Sequence, residues 1–165
     1  MSTIKLSILL LISFFVFSCS NNQINTSIQK YSLAYIGGEY DGLLLKNYLT
    51  GSLKTFGMYD QKSNFEIQSN ISHSTNLFIT NIDNTSDREK IDTKLSIKII
   101  NKDTNCIVFN DEIGVSQFYI YASSDKFLSN QSAVKKIQKD NTESTVRQLI
   151  NKLIKIDFQC NEYNE

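Results

Sequence analysis

From residue 65 to residue 121 polar and apolar side chains alternate with a period of two, and on both sides of that stretch the period lengthens to three or four. Phe65, Ile67 and Ile71 make one alternating set, residues 77–82 a second, apolar run, and Leu95, Ile97 and Ile99 a third segment. Residues 106–109 and then 113–121 continue the pattern. Alternation at two implies that one face of each strand is buried. Two stretches rich in Asp, Asn and Thr, residues 83–87 and 101–105, interrupt it and read as connections between antiparallel strands. The pattern predicts a meander of three or four strands.

Ahead of the meander, Ser32-Leu33-Ala34-Tyr35-Ile36 reads as a first strand, ended by a turn at Gly37 and Gly38. From residue 40 to 56, Leu45, Leu49, Leu53 and Phe56 recur at three and four, with Lys46, Asn47, Thr50 and Lys54 between them. That spacing predicts an amphipathic helix of about four turns. Gly57 follows its last apolar position, as expected of a helix C-cap. Gly51, inside the helix, costs about 1 kcal/mol against alanine and is expected to admit a neighbouring strand. After the meander, Ser132 is the predicted cap of a second helix. Its apolar stripe opens at Ala133, Val134 and Ile137 and closes at Val146, Leu149, Ile150, Leu153, Ile154 and Ile156. Residues 138–144 in between are almost wholly polar and are expected to face solvent or a partner. The order β-α-β-β-β-α leaves two amphipathic helices to cover one sheet face. The predicted fold is therefore α+β, with two helices packed on one face of a mostly antiparallel, roughly four-stranded sheet.

The start of the chain carries a targeting signal. Lys5 supplies a positive n-region, residues 6–17 an apolar h-region, and Val16-Phe17-Ser18 a small-residue cleavage site directly before Cys19. This pattern resembles the lipobox of bacterial lipoproteins, in which Cys19 becomes the first residue of the mature chain and carries the acyl chains. A spanning helix is the competing reading, but a run of this length covers about 18 Å against a hydrocarbon core of about 30 Å. A signal peptide without lipidation is the other rival. Several acyl chains make a lasting tether, at ~0.8 kcal/mol per buried CH₂. The residues that follow, 20–27, are polar and uncharged and read as a flexible leash. Ser20 stands where an aspartate would, by analogy with lipoproteins, retain the chain in the inner membrane, so the expected destination is the outer membrane, facing the periplasm.

Removing 18 of the 165 residues leaves 147, the length of one domain. Loss of Lys5 takes the count of basic side chains from 17 to 16, against 17 acidic ones. That balance argues against a general nucleic-acid binder, which needs a basic excess. Cys106 and Cys160 remain besides Cys19. In an oxidising compartment they could pair, and closing a loop of that length is worth about 4 kcal/mol in the chain-entropy account. Two separate buried thiols are the alternative.

No catalytic constellation is legible. His73 is the single histidine, which excludes a histidine-based metal cluster and leaves any Ser-His-Asp triad dependent on it. Between Ser72 and Ser74 it reads as a solvated turn residue. There is no Gly-x-Ser-x-Gly elbow and no phosphate-binding glycine loop. Asp87-Arg88-Glu89-Lys90 is a mixed charge run with a solvated turn as its plain reading. The sequence thus offers no catalytic residues, no metal ligands and no cofactor site.

Two stretches carry a family resemblance. Gly42-x-x-Leu45-Lys46-Asn47-x-Leu49-x-x-x-Leu53 in the first helix is similar to a pattern in the lipopolysaccharide-assembly lipoprotein family, LptE. Ser116-Gln117-Phe118-x-x-Tyr121-Ala122 resembles that family's serine–aromatic strand, and Val146-Arg147-Gln148-Leu149-Ile150-Asn151-Lys152-Leu153 its terminal helix. The resemblance in architecture spans residues 19–156. It implies residues 1–18 as lipoprotein signal peptide, 19–27 as tether, 28–158 as an LptE-like α+β domain and 159–165 as a polar tail.

The resemblance also implies a non-catalytic role. Members of that family sit inside the outer-membrane β-barrel LptD, assist its assembly and plug its lumen while lipopolysaccharide enters the outer leaflet. The expected partners are an LptD-like barrel, lipopolysaccharide, and the membrane through the acyl chains on Cys19, with no nucleic acid. Arg88 falls where a family arginine can meet a lipid A phosphate, and a guanidinium there would hold it with paired hydrogen bonds. The plain alternative is an arginine paired with Asp87 or Glu89. A second basic position near the last helix is occupied by Asn130, with Lys126 the nearest cation. A different reading is a periplasm-facing lipoprotein that binds a small apolar ligand or another envelope protein, in a cavity lined by aromatics such as Phe118, Tyr119, Tyr121 and Phe127.

Overall fold

In the computed structural model the described residues are 28–79, 87–120 and 127–156. They form β1 (Ser32–Gly37), α1 (Glu39–Thr55), β2 (Phe65–Ile79), β3 (Asp87–Asn101), β4 (Cys106–Ile120) and α2 (Phe127–Leu153). The order is β-α-β-β-β-α, and the strands lie side by side in that same sequence, β1-β2-β3-β4. β2 pairs with β3, and β3 with β4, antiparallel along nearly their whole length. β1 runs parallel to β2, from Ser32 opposite Glu66 to Gly37 opposite Asn70. A parallel pair cannot be joined by a tight turn, so α1 serves as the crossover between them. The two helices cover one face of the sheet, and the fold is α+β.

The parity of β3 shows how the sequence builds this. Ile91, Thr93, Leu95, Ile97 and Ile99 are all buried, while Arg88, Lys94 and Ser96 on the other parity are exposed. Leu95, Ile97 and Ile99 of the buried row meet Ile67 and Ile71 of β2, Leu45, Leu49 and Leu53 of α1, and Val146, Leu149, Ile150 and Leu153 of α2 in one core. Residues 65–71 and 77–79, which read as separate runs, belong to a single strand. The polar interval between them hides this, because the open face of a sheet covered on one side needs no apolar residues.

α1 ends as its sequence indicates. Gly57 has a positive φ of 68°, its N–H donates to Lys54 O at 3.1 Å, and the Met58 N–H donates to Leu53 O at 2.8 Å. This is the Schellman arrangement, in which a left-handed glycine lets two late N–H groups meet the last carbonyls. Gly51 departs from expectation. A Cβ there would find nothing within 4 Å, so no strand approaches it. Beyond α1 the chain returns past β1, where Tyr31 N–H donates to Met58 O at 2.7 Å and Asp60 N–H to Tyr31 O at 2.9 Å. The turn at residues 102–105 joins β3 to β4 as expected, with Asn105 at a positive φ of 53° that asparagine tolerates.

α2 differs from its sequence reading in two ways. It begins at Phe127, so Ser132 lies inside it and is not its cap. Phe127 and Leu128 are 61% and 76% exposed, and a first turn with its apolar groups outward gives no inward stripe to read. One side of the polar middle is also buried, while Lys139, Asp140 and Glu143 stay exposed. Asn141, Thr142 and Thr145 are each 0% exposed, facing the sheet and not solvent.

Candidate functional site

The helix–sheet interface holds a polar joint that ties four elements together. His73 stands in the middle of β2 with its side chain only 3% exposed, which corrects its reading as a solvated turn residue. Its Nδ1 lies 2.8 Å from Thr93 Oγ1 on β3. Asn141 of α2 donates from Nδ2 to the same Oγ1 at 3.1 Å and to Ile91 O at 3.4 Å. Asn141 occupies one lone pair of the threonine hydroxyl, which can either donate to Nδ1 or accept from it, so the imidazole tautomer sets the roles in that bond. The ring's Nε2 faces Asp41 Oδ2 of α1 at 3.8 Å, beyond hydrogen-bond reach, and neither it nor Asn141 Oδ1 has a hydrogen-bond partner among the described residues. The order is carboxylate, imidazole, hydroxyl, amide. Thr93 is buried at 1% exposure, so this chain joins elements and presents no nucleophile.

Burial holds the His73 pKa below the ordinary imidazole value, and the Asp41 carboxylate opposes that shift only in part. As pH falls through about 6.5, the unfolded chain takes up a proton that the folded imidazole refuses. Stability is therefore expected to decline below that pH, and to level off once pH passes the depressed folded value. Urea midpoints measured at successive pH values should show this decline in the native chain and a flatter profile in His73→Gln. Equal slopes in both would remove the assignment.

The open face of the sheet carries the other polar groups. The register sets Arg88 opposite Ile120 and Lys90 opposite Phe118. Ile120 is 70% and Phe118 57% exposed, so cations and apolar groups stand together at this end of the sheet. Lys90 Nζ reaches Asp92 Oδ1 at 2.8 Å. That lysine, with hydrogen bonds donated by Ser116 and Asn76, holds the Asp92 carboxyl below the usual carboxylate range. Glu89 accepts a hydrogen bond from the Tyr119 hydroxyl. Arg88 is exposed and has no ion pair among the described residues. It lies inside β3 and not in a turn before it.

The remaining residues singled out in the sequence fall as follows. Cys106, at the start of β4, is disulfide-bonded, and its partner lies outside the described residues. Cys19, Lys126, Tyr121 and Cys160 also lie outside them. Asn130 is buried, at 5% exposure. Phe118 and Phe127 are surface groups, at 57% and 61% exposure. In the first-helix pattern, Leu45, Leu49 and Leu53 are all 0% exposed. A Cβ on Gly42 would come within 2.7 Å of Gly37 O, so the glycine lets the helix start close against the end of β1. The sequence reading missed the joint of His73, Thr93 and Asn141. A signal for it existed, because half-buried Ile137 and buried Asn141, Thr145 and Leu149 follow one another at helical spacing on α2.

No protein-family model matches the sequence, and no curated protein sequence does. The fold does match solved structures. Rare lipoprotein B from Shewanella oneidensis aligns with a TM-score of 0.54 and 10% identity, over 77% of this chain and 98% of that one. A minor lipoprotein from Acinetobacter baumannii gives 0.55 and 13%, over 78% and 94%. Lipoprotein B from Nitrosomonas europaea gives 0.56 and 11%, over 77% and 83%. At such identities the likeness is one of fold, and it is a fold found in bacterial lipoproteins.

Proposed function

We propose that this chain is an outer-membrane lipoprotein of the lipopolysaccharide-assembly type, tethered by acyl chains on Cys19 and seated in an LptD-like β-barrel whose assembly it assists. One observation carries the reading. A chain with a lipobox-like leader and LptE-like helix and strand patterns shares its β-α-β-β-β-α fold with rare lipoprotein B along nearly all of that protein. The role needs a stable wedge with a polar exterior, because a barrel lumen is polar and wet. Ser72, Ser74, Asn76, Ser96 and Glu112 are exposed, and their parity gives the open sheet face that character. The covered face supplies the stiffness, through the single core that both helices share.

The end of the sheet at Arg88 suits an amphiphile. A guanidinium offers paired hydrogen bonds to a phosphate, and exposed Ile120 and Phe118 beside it offer apolar contact for an acyl chain. Lys126 is the second proposed contact. Arg88→Ala is expected to weaken binding of purified lipopolysaccharide about tenfold, in keeping with a charge-assisted hydrogen bond, while barrel co-purification persists. Unchanged affinity would remove the site.

Metabolic labelling with palmitate tests the anchor, since label should enter the native chain and be lost in Cys19→Ala. Affinity purification from outer membranes tests the partnership. A very large β-barrel should accompany the chain, and photo-crosslinking probes at exposed Lys139 and Glu143 should capture it. A chain that floats free in periplasmic extract, or purifies without a barrel, would end this reading.

A further inference from the structure

α2 carries Lys135, Lys136 and Lys139 on its exposed side, and none of them has an ion-pair partner among the described residues. Elsewhere Lys90, Lys94, Lys102, Arg147 and Lys152 each have a carboxylate within reach. Residues 135 and 139 stack one turn apart, and 136 stands beside them. Other cations without an ion pair among the described residues, such as Lys46 and Lys54 of α1 and Arg88 and Lys98 of β3, are dispersed, whereas these three share one helix face.

That face lines a cleft. With Tyr40, Asp41 and Leu44 from the start of α1, the three lysines enclose about 740 Å³, within the range of ligand-binding clefts. Farther along, Ser52 and Phe56 of α1 border Glu143 and Arg147 of α2. The helices thus run in the same direction, and the cleft lies at the end where α1 begins. Its walls differ in charge: the α2 side is cationic, while the α1 side presents Asp41, with the buried His73 ring 3.8 Å behind it.

We infer that this cleft is a docking groove for an acidic peptide segment of a protein partner, whose carboxylates meet Lys135, Lys136 and Lys139 and whose apolar side chain lies on Tyr40 and Leu44. Charge complementarity names the occupant. The cations are lysines, point charges on flexible stems, and lack the planar fork with which arginine clasps a single phosphate. Spread over a helical turn, they suit carboxylates spaced along a chain. Tyr40, 79% exposed, supplies the apolar strip. Asp41 repels an acidic residue from the α1 wall and so fixes the register of the segment. The inference rests on the proposed function in one respect, that the natural segment belongs to the barrel.

Calorimetry with the full-length lipoprotein in detergent tests it. The probes are a short synthetic peptide rich in Asp and Glu with a central Leu, its Asn/Gln counterpart, inorganic phosphate and lipopolysaccharide. The acidic peptide should bind, its neutral counterpart should not, and added salt should weaken the complex, as screening requires. Combined Lys135→Glu, Lys136→Glu and Lys139→Glu should lower the affinity at least tenfold, and Lys62→Glu, in a distant loop, should not change it. If charge reversal disturbs the fold, the corresponding glutamine variant serves instead. Absence of peptide binding, equal binding by the triple variant, or displacement of the peptide by phosphate or lipopolysaccharide would overturn the inference. Purification from cells separates the two ideas. A barrel retrieved equally by native chain and triple variant ends the groove alone, whereas no barrel with the native chain ends the proposed function and leaves the peptide measurement standing.

Discussion

Reduction of the disulfide at Cys106 is expected to lower the stability of the chain by about 4 kcal/mol. Cys106 opens β4 and packs against the core. If Cys19 carries the acyl chains as proposed, Cys160 is the thiol left to join it. The closed loop then spans about 55 residues, and a cross-link of that length removes much of the freedom of the unfolded chain. The corresponding fall in melting temperature is about 10–16 °C for a domain of this size. Cys106→Ser and Cys160→Ser should each reproduce the loss, and the double variant should lose no more than either alone. Denaturation with and without a reductant measures it. An unchanged midpoint on full reduction would refute the expectation, and peptide mapping that joins Cys106 to another partner would refute the pairing.

Gly38→Val is expected to cost about 3 kcal/mol, as left-handed strain of about 1–2 kcal/mol adds to overpacking of about 1–3 kcal/mol. Gly38 sits between β1 and α1 at a φ of 110°, a conformation that a β-branched residue adopts only under strain. A Cβ there would lie 2.7 Å from Ile71 O and 2.8 Å from Ile71 Cγ2. The carbonyl belongs to the central strand pair and cannot give way. Gly51 is the contrast. It is exposed in mid-helix with nothing within 4 Å, so Gly51→Ala should stabilise by about 1 kcal/mol through helix propensity alone. Urea midpoints for the two variants should move in opposite directions. A neutral Gly38→Val would mean that β1 and α1 meet in some other way.

The elements differ in how plainly the sequence announced them. Leu45, Leu49 and Leu53 followed by Gly57 specified α1 and its end, because a stripe at three and four and a left-handed cap are local requirements. The alternation of Leu95, Ile97 and Ile99 specified β3 for the same kind of reason. The start of α2 was not legible, since Phe127 and Leu128 point outward. His73 was misread because it stands between two serines, whereas in space its ring lies between Thr93 of β3 and Asp41 of α1.

By itself the sequence determined the local periods, the turn between β3 and β4 and the α+β class, each of which depends on residues a few positions apart. Only the tertiary structure decided that β1 runs parallel to β2, that Asn141 and Thr142 face inward, and that Asp41, His73, Thr93 and Asn141 converge. Those features depend on which distant groups can satisfy a buried donor or acceptor. Such pairing is a property of the packed chain, and no period in the sequence encodes it.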